Sequence, residues 1–422
     1  MNLNVQEVVE SLEIQQNRYV IQGLDVLDIC AEFGAPLYIY DGEKIQHQYN
    51  RLLNAFKGLN CKIKYPVKAL SNMSILKLLK QFGAGLDCVS IQEVKMALHV
   101  GFDPKEIVFT PSCVSFLEIK QAVELEVCIN IDNISILEQF GNVYGNTVPC
   151  GLRFNPHVSA GGNHKIQTGH IDSKFGISIF QKRHVQRIIK ANDIQVAGLH
   201  VHTGSDILNA ESYLQSARIM FELAHEFPGL EFIDFGSGFK VPYKTGDLET
   251  DIEEVGKKLE GEYQNFSKTY GKKLELWFEP GKFLVSAAGI FCMRANVIKP
   301  TPATVFVGVD SGLNHFIRPM MYGSFHQITN LSNPGGIQRI YTIVGYICET
   351  DTFGADQKLN EVREGDILAL SNAGAYGFMM SSNYNSRLRP AEVLVWKGKA
   401  RLIRKRETFE DLLSKQLEIE WD

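Results

Sequence analysis

At 422 residues the chain is too long for one ordinary core, and it predicts one large domain of roughly 250 residues plus a smaller one, or two to three of average size. Hydrophobic residues at 45% and charged residues at 22% give the mix of a soluble globular protein, and a net charge of −5 argues against a nucleic-acid or polybasic membrane role. The acidic, polar stretch from Met1 to Gln16 lacks the make-up of a signal peptide, and no run approaches the roughly 18 apolar residues of a membrane span.

In chain order, Tyr19–Leu27 is too β-rich for a tail and is expected to join a later domain. A short β-rich run, then polar or glycine-containing residues, then a helical segment recurs eight times. The runs are Lys62–Ala69, Ala84–Ser90, Glu106–Ser112, Glu126–Asp132, Val148–Asn155, Gln195–Gly204, Leu230–Gly238 and Leu274–Lys282. Several are apolar almost throughout, as strands covered on both faces should be. Ser90–Gly101 is a predicted helix with a capping box (Ser90, Glu93) and a closing glycine; Ser115 and Glu118 repeat the device. Asn209–Phe227 and Asp251–Tyr270 are the longest predicted helices. Eight strands alternating with helices point to a TIM-like (β/α)8 barrel, whereas a doubly wound sheet usually closes after about five to seven.

The rhythm changes after about residue 290. Ala303–Val309, Gln338–Cys348, Asp366–Leu370, Ala391–Trp396 and Ala400–Arg404 alternate with turns and carry no helices between them. The last two form a hairpin through Lys397-Gly398-Lys399, and a capped helix is expected near Thr408–Gln416. The fold class is therefore α/β plus β. Residues 36–288 form the barrel, residues 289–422 a C-terminal antiparallel β domain, and residues 1–35 an N-terminal segment that packs with that β domain. Eight scattered cysteines without a CxxC pair suggest reduced thiols in the cytoplasm and no structural metal site.

A barrel places function at the C-terminal ends of its strands. Those ends carry Lys68, Asp87, Thr110, Arg153 with Asn155, His202 with Ser205, Gly236 and Gly238, and Glu279. A lysine facing an apolar barrel mouth would be desolvated and made available as a neutral nucleophilic amine for imine formation, although a lone strand-end lysine more often snorkels to solvent. Its company is what raises Lys68. The glycine-rich turns at Gly236-Ser237-Gly238 and Pro280-Gly281-Lys282 follow strands seven and eight, where barrels build phosphate sites from backbone N–H groups. Glu279 suits a pyridine nitrogen, which it would keep protonated, and His202 offers a flat ring for stacking.

Together these segments resemble the fold type III pyridoxal-phosphate decarboxylases, and within them the diaminopimelate decarboxylase family most closely, from about Pro36 to Arg404. YPVKAL resembles the segment carrying the cofactor lysine, here Lys68, and GLDCVSIQEV a block with Asp87 and Glu93. TGHIDSKFGI resembles the TG…KFG loop after the fifth strand. HVHTGS supplies a stacking histidine, His202, and a phosphate-binding hydroxyl, Ser205. FGSGF resembles a triple-glycine phosphate turn with Gly238 third, and EPGK an EPGR segment with Glu279, Gly281 and Lys282. IRPMMY resembles a segment whose arginine and tyrosine, here Arg318 and Tyr322, bind the distal end of the substrate. Cys348-Glu349-Thr350 resembles CES, whose cysteine donates a proton and reaches the partner subunit's site, and Tyr376 lies in a GAY that meets cofactor and substrate. This chain departs at Lys282 (arginine in the family), Thr350 (serine), Ser237 (glycine) and Asp206 (commonly glutamine).

The resemblance implies pyridoxal 5'-phosphate on Lys68, a small amino-acid substrate, and a homodimer with shared sites. Cys348 would protonate the carbanion left by carbon dioxide, with Arg318 and Lys282 on the distal carboxylate and Glu349 on the distal amine. Three readings stay open. They are decarboxylation of meso-2,6-diaminopimelate to L-lysine, decarboxylation of a basic amino acid or carboxynorspermidine, and cofactor binding without turnover.

Overall fold

The computed structural model describes residues 11–158, 169, 171–244 and 246–421. They divide into two compact units. One runs from Gln46 to Leu284, apart from a short excursion near Tyr243; the other takes the described residues up to Ile45 and those from Val285 onward, with Tyr243 and Lys244.

In the first unit eight parallel strands close on themselves. They are β1 Cys61–Pro66, β2 Gly85–Cys88, β3 Ile107–Phe109, β4 Cys128–Ile131, β5 Cys150–Asn155, β6 Val196–His200, β7 Phe232–Asp234 and β8 Glu275–Phe278. Each pairs with the next, and β8 pairs back with β1, so the barrel forecast from the repeat is closed. The helices between strands start on side-chain caps at Asn72, Ser90, Asn133, Asn209 and Asp251. Two capping details differ from expectation. Glu93 accepts from the N–H of Val89 rather than from that of Ser90, and Ser115 caps with no side-chain bond at all. The barrel floor is filled by Val108, Ala197, Phe232 and Trp277, the last two stacked at 3.6 Å, with the buried Lys64 ammonium 4.5 Å from the Trp277 ring centre.

The second unit is built on Gly289–Pro300, a strand with no sequence forecast. It runs antiparallel to Leu37–Asp41, to Val305–Val309 and to Ile367–Leu370. The sheet is mixed rather than wholly antiparallel. Leu37–Asp41 enters from the N-terminal side and lies parallel to Ala391–Val395, and Val305–Val309 lies parallel to Gln338–Val344. Thr352–Asn360 was also missed: it is polar, exposed along much of its length and paired to Gln338–Val344. Ala391–Val395 and Ala400–Arg404 form the expected hairpin. The N-terminal segment joins this unit as expected, with Ile21 and Val26 packed among Leu37, Ile39, Ile290, Cys292 and Val393. Among the described residues no helix is long and apolar enough to cross a membrane.

Candidate active site

Lys68 sits on a single 3-10 turn, Val67–Ala69, directly after β1. The desolvation expected for it is not what the structure has: its side chain is 43% exposed, and its ammonium lies 3.2 Å from an oxygen of Asp87, which is 1% exposed. The lysine thus stands at an open rim with its charge matched from below. Burial is spent on the acids instead. Burial and the charge of Glu279 raise the Asp87 carboxyl above its ordinary value.

Beneath the rim, the ends of β6, β7 and β8 bring three more groups together. His200 and Asp234 are register partners at the ends of β6 and β7. Glu279 follows β8 and donates its N–H to the carbonyl of Gly236 at 2.7 Å. His200 Nε2 is 3.6 Å from Glu279 Oε1, too long for a hydrogen bond. Burial raises Asp234 well above its ordinary range, reinforced by the charge of Glu279. Burial also pushes Glu279 upward, but His200, Lys68 and His202 outweigh it and hold that carboxyl well below the usual range. Glu279 is therefore the ionised member of the cluster, and its buried Oε1 has no hydrogen-bond partner. His202 accepts from the N–H of Ser237 at 3.4 Å, and burial lowers its pKa to about 3, which leaves a neutral ring.

The loops above these strands require glycine. Gly236 and Gly238 have φ of 59° and 102°, a region side chains rarely adopt. A Cβ at Gly236 would strike the His202 ring, and one at Gly238 the carbonyl of Gly204. Asp234 Oδ1 accepts from the N–H of Gly236 at 2.9 Å, and the N–H of Ile207 donates to Gly238 at 2.8 Å, so the loop carrying Ser205 is tied to the glycine turn. Gly281 opens the short helix Gly281–Val285. Lys282 beside it is almost wholly buried and pairs with Asp206 at 2.5 Å. Of the TG…KFG loop, Thr168 lies outside the described residues, while Phe175 lies under the buried Arg153 guanidinium at 4.9 Å.

In the second unit, Arg318 opens a helical turn, Arg318–Tyr322, with its guanidinium 5.4 Å from the Tyr322 ring and 5.8 Å from that of Tyr376. Arg318 is 7% exposed, its Nε has no hydrogen-bond partner, and no carboxylate among the described residues pairs with it. Cys348 is exposed and lies past Val344, where the strand expected to reach it ends; Asn385 donates to its sulfur at 3.3 Å. Glu349 accepts from the Tyr384 hydroxyl at 2.9 Å.

Sequence reasoning assigned no role to His200, Asp234, Tyr384 or Asn385. The signal for the first two was available, because both occupy the last residue of an apolar strand, where this fold exposes functional groups. His200, Asp234 and Glu279 each offer an atom within 4.8 Å of the others, a spacing that a cation could also use. Burial raises Asp234 while neighbouring groups hold Glu279 low, so Glu279 is the carboxyl of the trio suited to a protonated aromatic nitrogen. The orphaned carboxylate oxygen, the neutral flat ring and the glycine cradle fit pyridoxal phosphate.

Comparison with known proteins agrees. Residues 42–286 match the family model for the pyridoxal-binding domain of pyridoxal-dependent decarboxylases. The chain is 38% identical to a diaminopimelate decarboxylase from Methanothermobacter thermautotrophicus, over 94% of this chain and 95% of that one. A solved diaminopimelate decarboxylase from Methanocaldococcus jannaschii superposes with a TM-score of 0.89 at 32% identity, covering 97% of this chain and 98% of that one. The same enzyme in complex with L-lysine gives 0.87 at 33% identity, with the same coverage.

Proposed function

The chain belongs to the pyridoxal-dependent decarboxylases, in the diaminopimelate decarboxylase family, and on that premise we propose that it removes carbon dioxide from meso-2,6-diaminopimelate to yield L-lysine. The observation that carries the substrate is Arg318. A buried guanidinium without an anionic partner is costly, and a distal carboxylate on the substrate would complete it. A diamine left by a monocarboxylic substrate would bring a second cation to the same place, so lysine and ornithine fit less well.

When bound, pyridoxal phosphate supplies an electron-poor ring that accommodates the electron pair released with carbon dioxide. In this reading Lys68 would hold the cofactor through its amine. The exposure of Lys68 supports that role, since the amine must be reached, and Asp87 steadies it between encounters. Glu279 would keep the ring nitrogen protonated, His202 would offer an uncharged plane to the ring, and Ser205 with the N–H groups around Gly238 and Gly281 would take the phosphate. Lys282 and Tyr376 complete the cofactor end. Arg318, Tyr322 and Glu349 select the distal amino-acid end, and Cys348 returns a proton to carbon. Asn385 and Tyr384 hold Cys348 and Glu349 from an exposed surface, which supports a homodimer in which these two serve a partner's barrel.

Carbon dioxide release by the purified enzyme should favour meso-diaminopimelate over L-lysine and L-ornithine by at least about a hundredfold in kcat/KM, the worth of one well-placed charge pair. Equal turnover of the monocarboxylic substrates would overturn the substrate assignment and leave the cofactor assignment standing.

A further inference from the structure

Cys348-Glu349-Thr350 is an exposed tripeptide slung between two buried anchors, Ile347 and Asp351. The Asp351 side chain closes that loop on itself. Its Oδ2 accepts from the N–H of Ile347 at 3.1 Å, four residues back, so one bond brackets the three exposed residues. Its Oδ1 accepts from the N–H of Leu313 at 2.7 Å, and its backbone carbonyl from the N–H of Gly345 at 2.7 Å. A Cβ at either Gly312 or Gly345 would strike Oδ2, so the carboxylate fills the space those two residues leave open. The segment that supplies Leu313 also holds the turn opposite. The Ser311 carbonyl accepts from the N–H of Tyr346 at 3.0 Å, the Asn314 carbonyl from the N–H of Ser382 at 2.7 Å, and His315 Nε2 lies 2.9 Å from the carbonyl of Leu388. Between Ser382 and Leu388 lie Tyr384 and Asn385, the hydrogen-bond partners of Glu349 and Cys348. One frame thus fixes both the loop and the turn that meets it, and Asp351 supplies a side-chain link between frame and loop.

We propose that Asp351 is a positioning residue for the decarboxylation, which sets where Cys348 and Glu349 stand by accepting the N–H groups of Ile347 and Leu313 with one carboxylate. An exposed loop of this length has many conformations open to it, and a proton donor misplaced by about 1 Å can lose up to about a hundredfold in rate. Two backbone donors on one buried carboxylate remove that freedom and leave the thiol and the Glu349 carboxyl projecting. Burial raises the Asp351 carboxyl to about 6, against the pull of those same two donors. The proposal rests on the roles given above to Cys348 and Glu349, and it is the same whether they serve their own barrel or a partner's.

The test is steady-state carbon dioxide release from meso-diaminopimelate by the full-length protein loaded with pyridoxal 5'-phosphate. Asp351→Asn keeps the shape but turns an amide N–H2 toward one of the two backbone donors, so one bond is lost. It should lower kcat roughly tenfold and raise KM roughly threefold, with the affinity for pyridoxal 5'-phosphate unchanged. The same substitution is then made in two further backgrounds. In a Cys348→Ala chain it should leave the residual kcat as it stands and still raise KM; in a Glu349→Gln chain it should leave KM as it stands and still lower kcat. A residue that only supports the fold would lower kcat by the same factor in all three backgrounds, and that result would overturn the proposal. Unchanged kcat and KM in Asp351→Asn alone would overturn it too. Where Asp351→Asn folds poorly, Gly345→Ala takes its place. It pushes the carboxylate aside without altering its chemistry, at a backbone position outside the left-handed region, and should give the same pattern. Undiminished kcat in Cys348→Ala by itself would instead remove Cys348 from the chemistry, a failure of the underlying reading that the single variant exposes.

Discussion

The acidic cluster beneath the barrel rim and the turn beside Cys348 in the β unit hold their functional groups in opposite ways. Beneath the rim, Asp87, Asp234, Glu279 and His200 are buried, and burial and neighbouring charges shift each carboxyl from its ordinary value. Asn385 and Ser386, beside Cys348, have φ of 56° and 55° and lie on an exposed turn, and the thiol and Glu349 are each held there by one side-chain bond. Burial presets charge where a cofactor must be tuned. Exposure leaves groups waiting for something to close over them. The two regions are thus expected to answer to mutation differently, the rim in chemistry and the β unit in selection and assembly.

The largest effects should come from breaking one region in each of two chains. Lys68→Ala and Cys348→Ala homodimers should each lose at least about a hundredfold in kcat. Heterodimers carrying one of each, isolated by two different tags, should regain about half of wild-type turnover, because one of the two sites is then made of intact parts. Heterodimers no more active than the parents would confine Cys348 to its own chain's chemistry or remove it from the site.

Next in size is Arg318→Ala. KM for meso-diaminopimelate should rise at least about tenfold with kcat little changed, since only binding of the distal end is lost. Its ligand-free thermal stability should hold or improve, because the buried Arg318 cation has no anionic partner to lose. Loss of stability with unchanged KM would make Arg318 a structural residue, supporting Tyr322 and Tyr376 through its ring contacts.

Most of the barrel was legible because its strands are short, apolar and covered on both faces, so position along each strand also located its functional end. The β unit was less so. Gly289–Pro300 begins buried and ends exposed, which gives neither a run nor an alternation, and Thr352–Asn360 is too polar to stand out. At the site, single residues could be placed but their pairings could not. Lys68 with Asp87 and Lys282 with Asp206 join different elements of the barrel, and its folding makes them neighbours. The desolvation expected of Lys68 failed for the same reason: a residue's depth depends on what covers the rim, which no local pattern records.

The smallest effect probes how far the rim's electrostatics extend. Glu93, on the helix after β2, accepts from the N–H of Val89 and is pushed up to about 7 by burial and then by Asp87. The unfolded chain loses this proton near 4.5, whereas the folded chain keeps it to about 7. Stability therefore falls as pH rises between those values and carries a constant penalty above them, worth roughly 1–3 kcal/mol after allowing for partial exposure. Glu93→Gln keeps an acceptor for Val89 and cannot ionise. Denaturant unfolding should find it level with the wild-type chain near pH 4.5 and more stable at pH 8, by up to that amount. A variant with the same advantage at both pH values would owe its stability to packing. A variant with none at pH 8 would show that the charges preset by burial end at Asp87 and do not reach the helix behind it.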